Sequence, residues 1–585
     1  MLKQTLAAFR FAHFSLFCIG LMWVLPFLYY RHGLPLTTFY QEWGAAVLGL
    51  CAMPLLVTRR YWLQPEVPRI VLLPVGLLLL VVVQFALGKI GYFSQALLFT
   101  LYLLWAALLV MLGQRLREEF GLPLLVTVLA SFLLLGAELS TLIGVLQHFH
   151  WHTFLDRVDM VNARTVFGNM GQPNHFADYI SLGLASLGLL HTRWKLPTWL
   201  TVLLAVPMLF VLVLSGSRSA LLYLLWLAGM AFLWQHRDKS NRPLLYYSLL
   251  LLLGFGLMQF VVLIPWLSGD NDNLTTFDRV IMAHGGHIRL VIWYEAGLIF
   301  TKFPLLGAGF GQFGWQSFLL GPSMHNPLIS GLYNSAHNLV MQIAAETGLV
   351  GLLILLSTLT LWIRQARSAP CTVYQWWGGS VLAVLGIHSL LEYPLWYAYF
   401  LGVAALTLGM LDCTTYRLEL RTGRLSIVAI LLLGVLSLGQ LLLGYHKLED
   451  LISPQQASIK SKDFYNNLLV THRQALLLPY VELAMTSIME GSESLADMRD
   501  LNESVMHFVP ISPVVYREIV LLALSGEQTA AQRQLECSIW AYPGEFPKFL
   551  EKLRFFAQKD PAHFAALLEF APKKYEEYQL AVHAK

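Results

Sequence analysis

Runs of about twenty apolar residues recur along most of this chain, separated by short loops that carry its Lys and Arg. A run of that length crosses a bilayer as a helix, and the lack of water inside the bilayer forces a crossing segment to satisfy its own backbone hydrogen bonds. The runs start near Phe11, Trp43, Ile70, Gln95, Leu122, Phe176, Trp199, Ser219, Leu244, Ala336, Trp377, Leu395 and Leu425, which predicts about thirteen spans. Composition excludes a soluble alternative, since 57% of the 585 residues are hydrophobic and only 13% are charged. The expected class is an all-α, polytopic membrane bundle.

Basic residues stay on the cytoplasmic side during insertion. With the N-terminus inside, successive cytoplasmic segments hold Lys3 and Arg10, then Arg59, Arg60 and Arg69, then Arg115 and Arg117, Arg193 and Lys195, Arg237, Lys239 and Arg242, Arg364 and Arg367, and Arg417, Arg421 and Arg424. The opposite loops are longer in total and hold fewer. This alternation predicts a cytoplasmic N-terminus and an exported C-terminus, and it accounts for the formal charge of +4 without a nucleic-acid partner. The long run after Phe11 lacks a small-residue cleavage site, so it reads as a retained span. Five cysteines, scattered over spans, cytoplasmic loops and tail, define neither a disulfide nor a metal framework.

Three exported features interrupt the spans. A loop near 147–175 contains FGNMGQPNHFADY, a larger loop occupies about 267–335, and composition turns soluble and helical from His446. The boundaries are therefore 1–445 for the membrane region and 446–585 for the tail. In the large loop, IRLVIWYEAGLIF has an apolar helical period ended by Lys302 and Pro304 and is expected to be an interfacial helix. In the tail, VVYREIVLLALSGEQTAAQRQLECSIWAYP and PKFLEKLRFFAQKDPAHFAALLEFA each read as helix, turn, helix, in the manner of tetratricopeptide-like repeats.

Unusual polar residues gather at the exported ends of the spans. Gln41 and Glu42 begin the second; Asn169, Gln172, Asn174, His175 and Asp178 begin the sixth; Arg218, in SGSRSA, begins the eighth; Arg289 lies in the large loop; His388 and Glu392, in HSLLEYPLW, flank the turn between the eleventh and twelfth. The tenth begins with YNSAHNLVMQIAAETGLVGLL, where Asn338, Gln342 and Glu346 repeat at i, i+4. Glu346 falls roughly 13 Å along the axis from His337, a costly place for a carboxylate. One shared exported site is the economical reading. Plainer roles exist for each residue: an interfacial anchor for Arg218, helix caps for Asn174 and Asp178, and a helix-start residue bonded to a neighbouring loop for His337.

Other motifs carry less. His284 and His287 in HGGH have no third metal ligand nearby, and Asp270 and Asp272 fail as a calcium loop because Leu274 stands where a ligand is needed. GAGFGQFG, Gly307–Gly314, follows no strand, so a flexible or closely packed turn is expected in place of a dinucleotide loop.

Taken in order, QPNHFADY, RLVIWYEAGLIFTKFPLLGAGFGQF, HNLVMQIAAETGLVGLL and HSLLEYPLW resemble the bacterial O-antigen ligase superfamily, specifically the PglL-type protein O-oligosaccharyltransferases that include pilin glycosylation ligases. The resemblance extends from FYQEWGA to the helical tail. It implies an inner-membrane glycosyltransferase that moves a preassembled glycan from undecaprenyl diphosphate to Ser or Thr hydroxyls of periplasmic proteins such as type IV pilin, without cofactor or metal. It places the essential His on His337 and the diphosphate-binding arginines on Arg218 and Arg289, with Gln172, Asn174, His175, Asn338, Glu346, His388 and Glu392 lining the site. Guanidinium forks suit phosphate oxygens, and a neutral imidazole suits removal of a hydroxyl proton. Ligation to lipid A core, glycan polymerisation, and transport of a lipid-linked glycan are the alternatives. Transport is disfavoured because neither a repeat nor a midplane ionisable cluster is visible.

Overall fold

A computed structural model describes residues 2–58, 61–63, 65–151, 165–267, 286–328, 330–331, 333–417, 422–452, 476–488 and 494–583. In chain order the helices are α1 (Leu2–Met22), α2 (Leu25–Leu28), α3 (Phe39–Ala52), α4 (Leu72–Ala86), α5 (Phe93–His148), α6 (Pro173–Trp194), α7 (Thr198–Leu214), α8 (Ser219–Arg237), α9 (Arg242–Val261), α10 (Gly286–Lys302), α11 (Phe313–Met324), α12 (Leu339–Ala366), α13 (Val373–Ser389), α14 (Ala398–Leu411) and α15 (Gly423–Ile452). The tail adds α16 (Leu478–Ile488), α17 (Leu495–Phe508), α18 (Ser512–Leu524), α19 (Gln528–Ala541), α20 (Phe546–Lys559) and α21 (Pro561–His583). Among the described residues the only sheet is a ribbon of Glu66–Pro68 (β1) antiparallel to Thr415–Arg417 (β2). The protein is an all-α polytopic membrane protein.

Every predicted span start falls within or just before one of these helices. By length and composition, eight described helical segments can cross a membrane, and α7 and α14 are shorter apolar helices. The long α5 carries two of the expected spans. It breaks at Gly121, whose φ of 72° and ψ of 151° no helix accommodates, and Pro123 follows; Pro lacks the donor needed to continue the previous turn.

The fold divides into two compact units. The first comprises Met1–Gly76, Leu101–His284 and Ile354–Gly439. At its centre lies α6, buried on every side from His175 to Leu190, as a helix must be when neighbours cover its whole circumference. Small residues allow that packing: a side chain at Gly183 would strike Ala137 of α5, and one at Gly188 would strike Tyr247 of α9. Tyr179 of α6 stacks on Phe27 with ring centroids 4.0 Å apart and donates its hydroxyl to the Trp23 carbonyl at 2.7 Å. At the opposite end of the unit, Asp412 accepts the Ile70 amide at 2.9 Å, and Arg117 donates to the Asp412 carbonyl at 3.0 Å, tying the β1–β2 ribbon down.

The second unit comprises Leu77–Thr100, Gly285–Leu353 and Gln440–Lys585. Its tail contains the helix-turn-helix pairs read from sequence, α18 with α19 and α20 with α21. Their core includes Val515, Ile519, Leu535, Phe546 and Leu553, and it takes in Phe318 from α11, with Trp315 and Leu319 packed beside it. The large-loop helix α11 is thus built into the tail's core. A smaller cluster joins Ile292, Ala296 and Ile299 of α10 to Phe313, Ala336 and Ala345.

Candidate active site

In the first unit, three distant segments meet through Asn174. Ser217 donates its hydroxyl to Asn174 Oδ1 at 2.8 Å, and Asn174 Nδ2 donates to Glu392 Oε1 at 3.2 Å. A half-buried amide has both kinds of polar atom to satisfy, and here its two partners come from the SGSR turn and the LEYP turn. Capping of α6 falls to Gln172, whose side chain accepts the His175 amide at 2.7 Å. Asn174 and Asp178, read from sequence as possible caps, do other things. Asp178 is wholly buried with its Oδ2 3.0 Å from Nδ1 of His388, itself wholly buried. His175 packs edge-on against His388, Tyr397 and Phe400.

The turn before α8 presents Arg218 outward. Gly216 takes a φ of 62°, the Ser217 amide donates to Ser215 Oγ at 3.2 Å, and both serines are buried. Arg218 follows them as an exposed residue with no ion-pair partner among the described residues. Ser217, absent from the sequence-predicted set, is what fixes the turn to Asn174; its only signal was its place inside SGSRSA. Gln41 and Glu42 serve the same end of the unit: Gln41 donates to the Tyr29 carbonyl at 3.2 Å, and Glu42 accepts the Ala398 amide at 3.2 Å.

In the second unit, His337 lies two residues ahead of α12 with a φ of 49°, a left-handed conformation uncommon outside Gly. Asn338 supplies the cap, accepting the amides of Val340 and Met341 at 3.0 and 3.1 Å. Asn338, not His337, thus caps α12. Three contacts hold the chain here: Ala336 donates its amide to Gln342 at 2.6 Å, Ala336 accepts the Trp293 indole at 3.1 Å, and the His337 amide donates to Ser335 Oγ at 3.1 Å. Trp293 stands one helical turn from Arg289 on α10.

Glu346 is fully buried in α12. It accepts the Phe313 amide at 3.1 Å, and its own carbonyl accepts Gln84 at 2.7 Å and the Gly309 amide at 3.1 Å. The glycine-rich segment is closely packed, as one of the two expected forms: any side chain at Gly307 would collide with the Glu346 carbonyl, and α12 itself breaks at Gly348, φ 65°.

The structure thus gathers Gln172, Asn174, His175, Arg218, His388 and Glu392 in one unit and Arg289, His337, Asn338 and Glu346 in the other. His284, Asp270 and Asp272 lie outside the described residues. Among the described residues no group of three His, Cys, Asp or Glu side chains is placed to hold a metal ion.

Comparison with known proteins bears on what these groups do. Residues 166–191 match the family described as Protein glycosylation ligase, 203–356 match O-Antigen ligase, and 376–553 match Virulence factor membrane-bound polymerase, C-terminal. The chain is 29% identical over 443 residues to the General O-oligosaccharyltransferase of Acinetobacter baylyi, covering 73% of this chain and 74% of that relative. It is 26% identical over 376 residues to the ComP-specific O-oligosaccharyltransferase of the same organism, covering 62% of this chain and 65% of that relative. The chain is a homologue of these glycosyltransferases.

Proposed function

We propose that this homologue of the O-oligosaccharyltransferases is an inner-membrane enzyme that transfers a preassembled glycan from undecaprenyl diphosphate to Ser or Thr hydroxyls of exported proteins, type IV pilin being the expected acceptor. Its N-terminus is cytoplasmic, and its tail and active site are periplasmic. Residues 1–445 form the transferase region and 446–585 the exported helical region. The acceptor hydroxyl oxygen attacks the anomeric carbon while its proton passes to the His337 imidazole; the bond from that carbon to the diphosphate oxygen breaks, and undecaprenyl diphosphate leaves. Arg218 and Arg289 neutralise the departing oxygens with paired N–H donors. Single displacement inverts the anomeric centre.

The observation that carries this reading is the overlap of the protein glycosylation ligase match, 166–191, with the helix start whose Asn174 secures the exposed Arg218 turn. Membranes containing the chain, supplied with lipid-linked glycan and purified pilin, should yield pilin heavier by one intact glycan, and His337→Ala membranes should not. A second reading, glycan polymerisation, is favoured by the polymerase match at 376–553. It predicts lengthened lipid-linked glycan and unmodified pilin in the same assay.

A further inference from the structure

Asp178 and His388 take no part in the reaction as written above, yet both are wholly buried in the first unit, with Asp178 Oδ2 3.0 Å from His388 Nδ1. Asp178 belongs to the first turns of α6 and His388 to the last turn of α13. These two helices pack on each other, and both pack on α8. A carboxyl and an imidazole taken out of water within a membrane bundle are costly, and well-packed apolar side chains in place of such a pair are often as stable or more so. Stability alone therefore gives no reason for these residue types at this joint. What they supply, and apolar groups do not, is a directional contact that fixes one helix against another.

The pair is one of two rungs. Asn174 lies four residues before Asp178, and Glu392 four residues after His388, so each rung is one helical turn from the other. The Glu392 amide donates to the His388 carbonyl at 2.7 Å, which carries the helical turn on from His388 to Glu392. The outer rung is the bond from Asn174 Nδ2 to Glu392 Oε1 at 3.2 Å, and Asn174 Oδ1 accepts the Ser217 hydroxyl at 2.8 Å. Ser217 is buried, and Arg218, the next residue, is exposed. A single rung would leave the LEYP turn free to pivot about Asn174. Two rungs at successive turns fix its rotation as well as its distance.

We infer that Asp178 and His388 are positioning residues for glycan transfer: the inner rung holds α6 and the LEYP turn in register, so that Glu392, Asn174 and Ser217 present Arg218 to the donor diphosphate. The inference rests on the assignment of Arg218 to the diphosphate above. It gives neither Asp178 nor His388 a proton to move in the reaction.

The test uses the full chain in membranes, with lipid-linked glycan as donor and pilin as acceptor. Asp178→Asn keeps the size of the side chain and removes its charge. It should lower kcat/KM for the donor by about tenfold, as misplacement of a group at a distance does, and leave the acceptor KM unchanged. In an Arg218→Ala background the same substitution should cost less than about twofold, because its effect runs through Arg218. Equal losses in the two backgrounds overturn the inference and leave Arg218 with its role. Asp178→Leu combined with His388→Leu keeps the test readable if Asp178→Asn fails to fold. Removing both partners strands no charge, so the thermal midpoint should hold while donor kcat/KM still falls by about tenfold. Native transfer by that doubly substituted chain also overturns the inference. Native transfer by Arg218→Ala alone sinks the diphosphate assignment and the inference with it.

Discussion

The two units hold their candidate residues by different means. Around Asn174 the contacts run from side chain to side chain, Ser217 to Asn174 to Glu392, with Asp178 against His388 beneath. Around His337 the main chain does the holding: Trp293 and Gln342 grip the backbone of Ala336, Asn338 caps amides, and Glu346 takes an amide from Phe313. A residue placed by its own side chain cannot be altered without disturbing its neighbours. A residue placed by its backbone can lose its side chain and stay where it is. His337 should therefore be separable from the fold in a way that Asn174 is not.

The strongest challenge to this contrast is His337→Asn, because Asn tolerates the left-handed backbone found here. Glycan transfer should fall by about a thousandfold, within the range of general-base contributions, while the thermal midpoint and carrier binding hold. Equal loss of carrier binding and transfer would make His337 a structural residue and undo the contrast. Next in size, Arg218→Ala should lower transfer on the order of a hundredfold, about 2.7 kcal/mol of transition-state stabilisation, with no change in stability, since the residue is exposed. Arg218→Lys should recover little of it because an ammonium cannot fork; full recovery would reduce Arg218 to an anchor.

Asn174→Ala sharpens the comparison from the other side. Losing both partners should cost about 1–3 kcal/mol of stability as well as activity, read from chemical unfolding in detergent beside the transfer assay. Stability equal to the native chain would mean that the bridge is idle. In the second unit the matching change is Gly307→Ala, which puts a methyl group against the Glu346 carbonyl and should lower the thermal midpoint although no side chain is removed.

The smallest effect concerns pH. Burial pushes the Glu295 carboxyl up to about 7, opposed by the Ser317 hydroxyl. A carboxyl whose value rises on folding favours the folded state at low pH. Its contribution is complete below its ordinary value of 4.5 and is lost as pH rises through about 7. The thermal midpoint should decline over that window, and Glu295→Gln should flatten the decline. An unchanged slope would show that another group sets it.

Much of this was legible in the sequence, and the exceptions share a cause. Span positions could be read because length and hydrophobicity are local properties; the break in α5 at Gly121 falls just ahead of the span start expected near Leu122. The α10 helix ended at Lys302 as its period and flanking Pro304 indicate. What could not be read required distant partners. Asn174 looked like a cap because Asx residues favour helix starts, and only the folded chain brings Ser217 and Glu392 to it. Gln172, a less favoured capping type, took the role instead. The same holds for α11: its apolar face gave no sign that its partners lie in the tail, and the unusual φ of His337 has no local signature.

That shared core also imposes an order of events during synthesis. Phe318 leaves the ribosome about 190 residues before Val505, the first of its tail partners in the cluster, a delay on the order of ten seconds or more at ordinary elongation speeds. Until then α11 has an uncovered apolar face, and the Gly331 amide lacks the Ala541 carbonyl. The segment carrying His337 is thus finished last although it is made in the middle. A nascent or truncated chain already threaded into the bilayer would hold its membrane helices in place with the His337 segment still lacking these tail contacts.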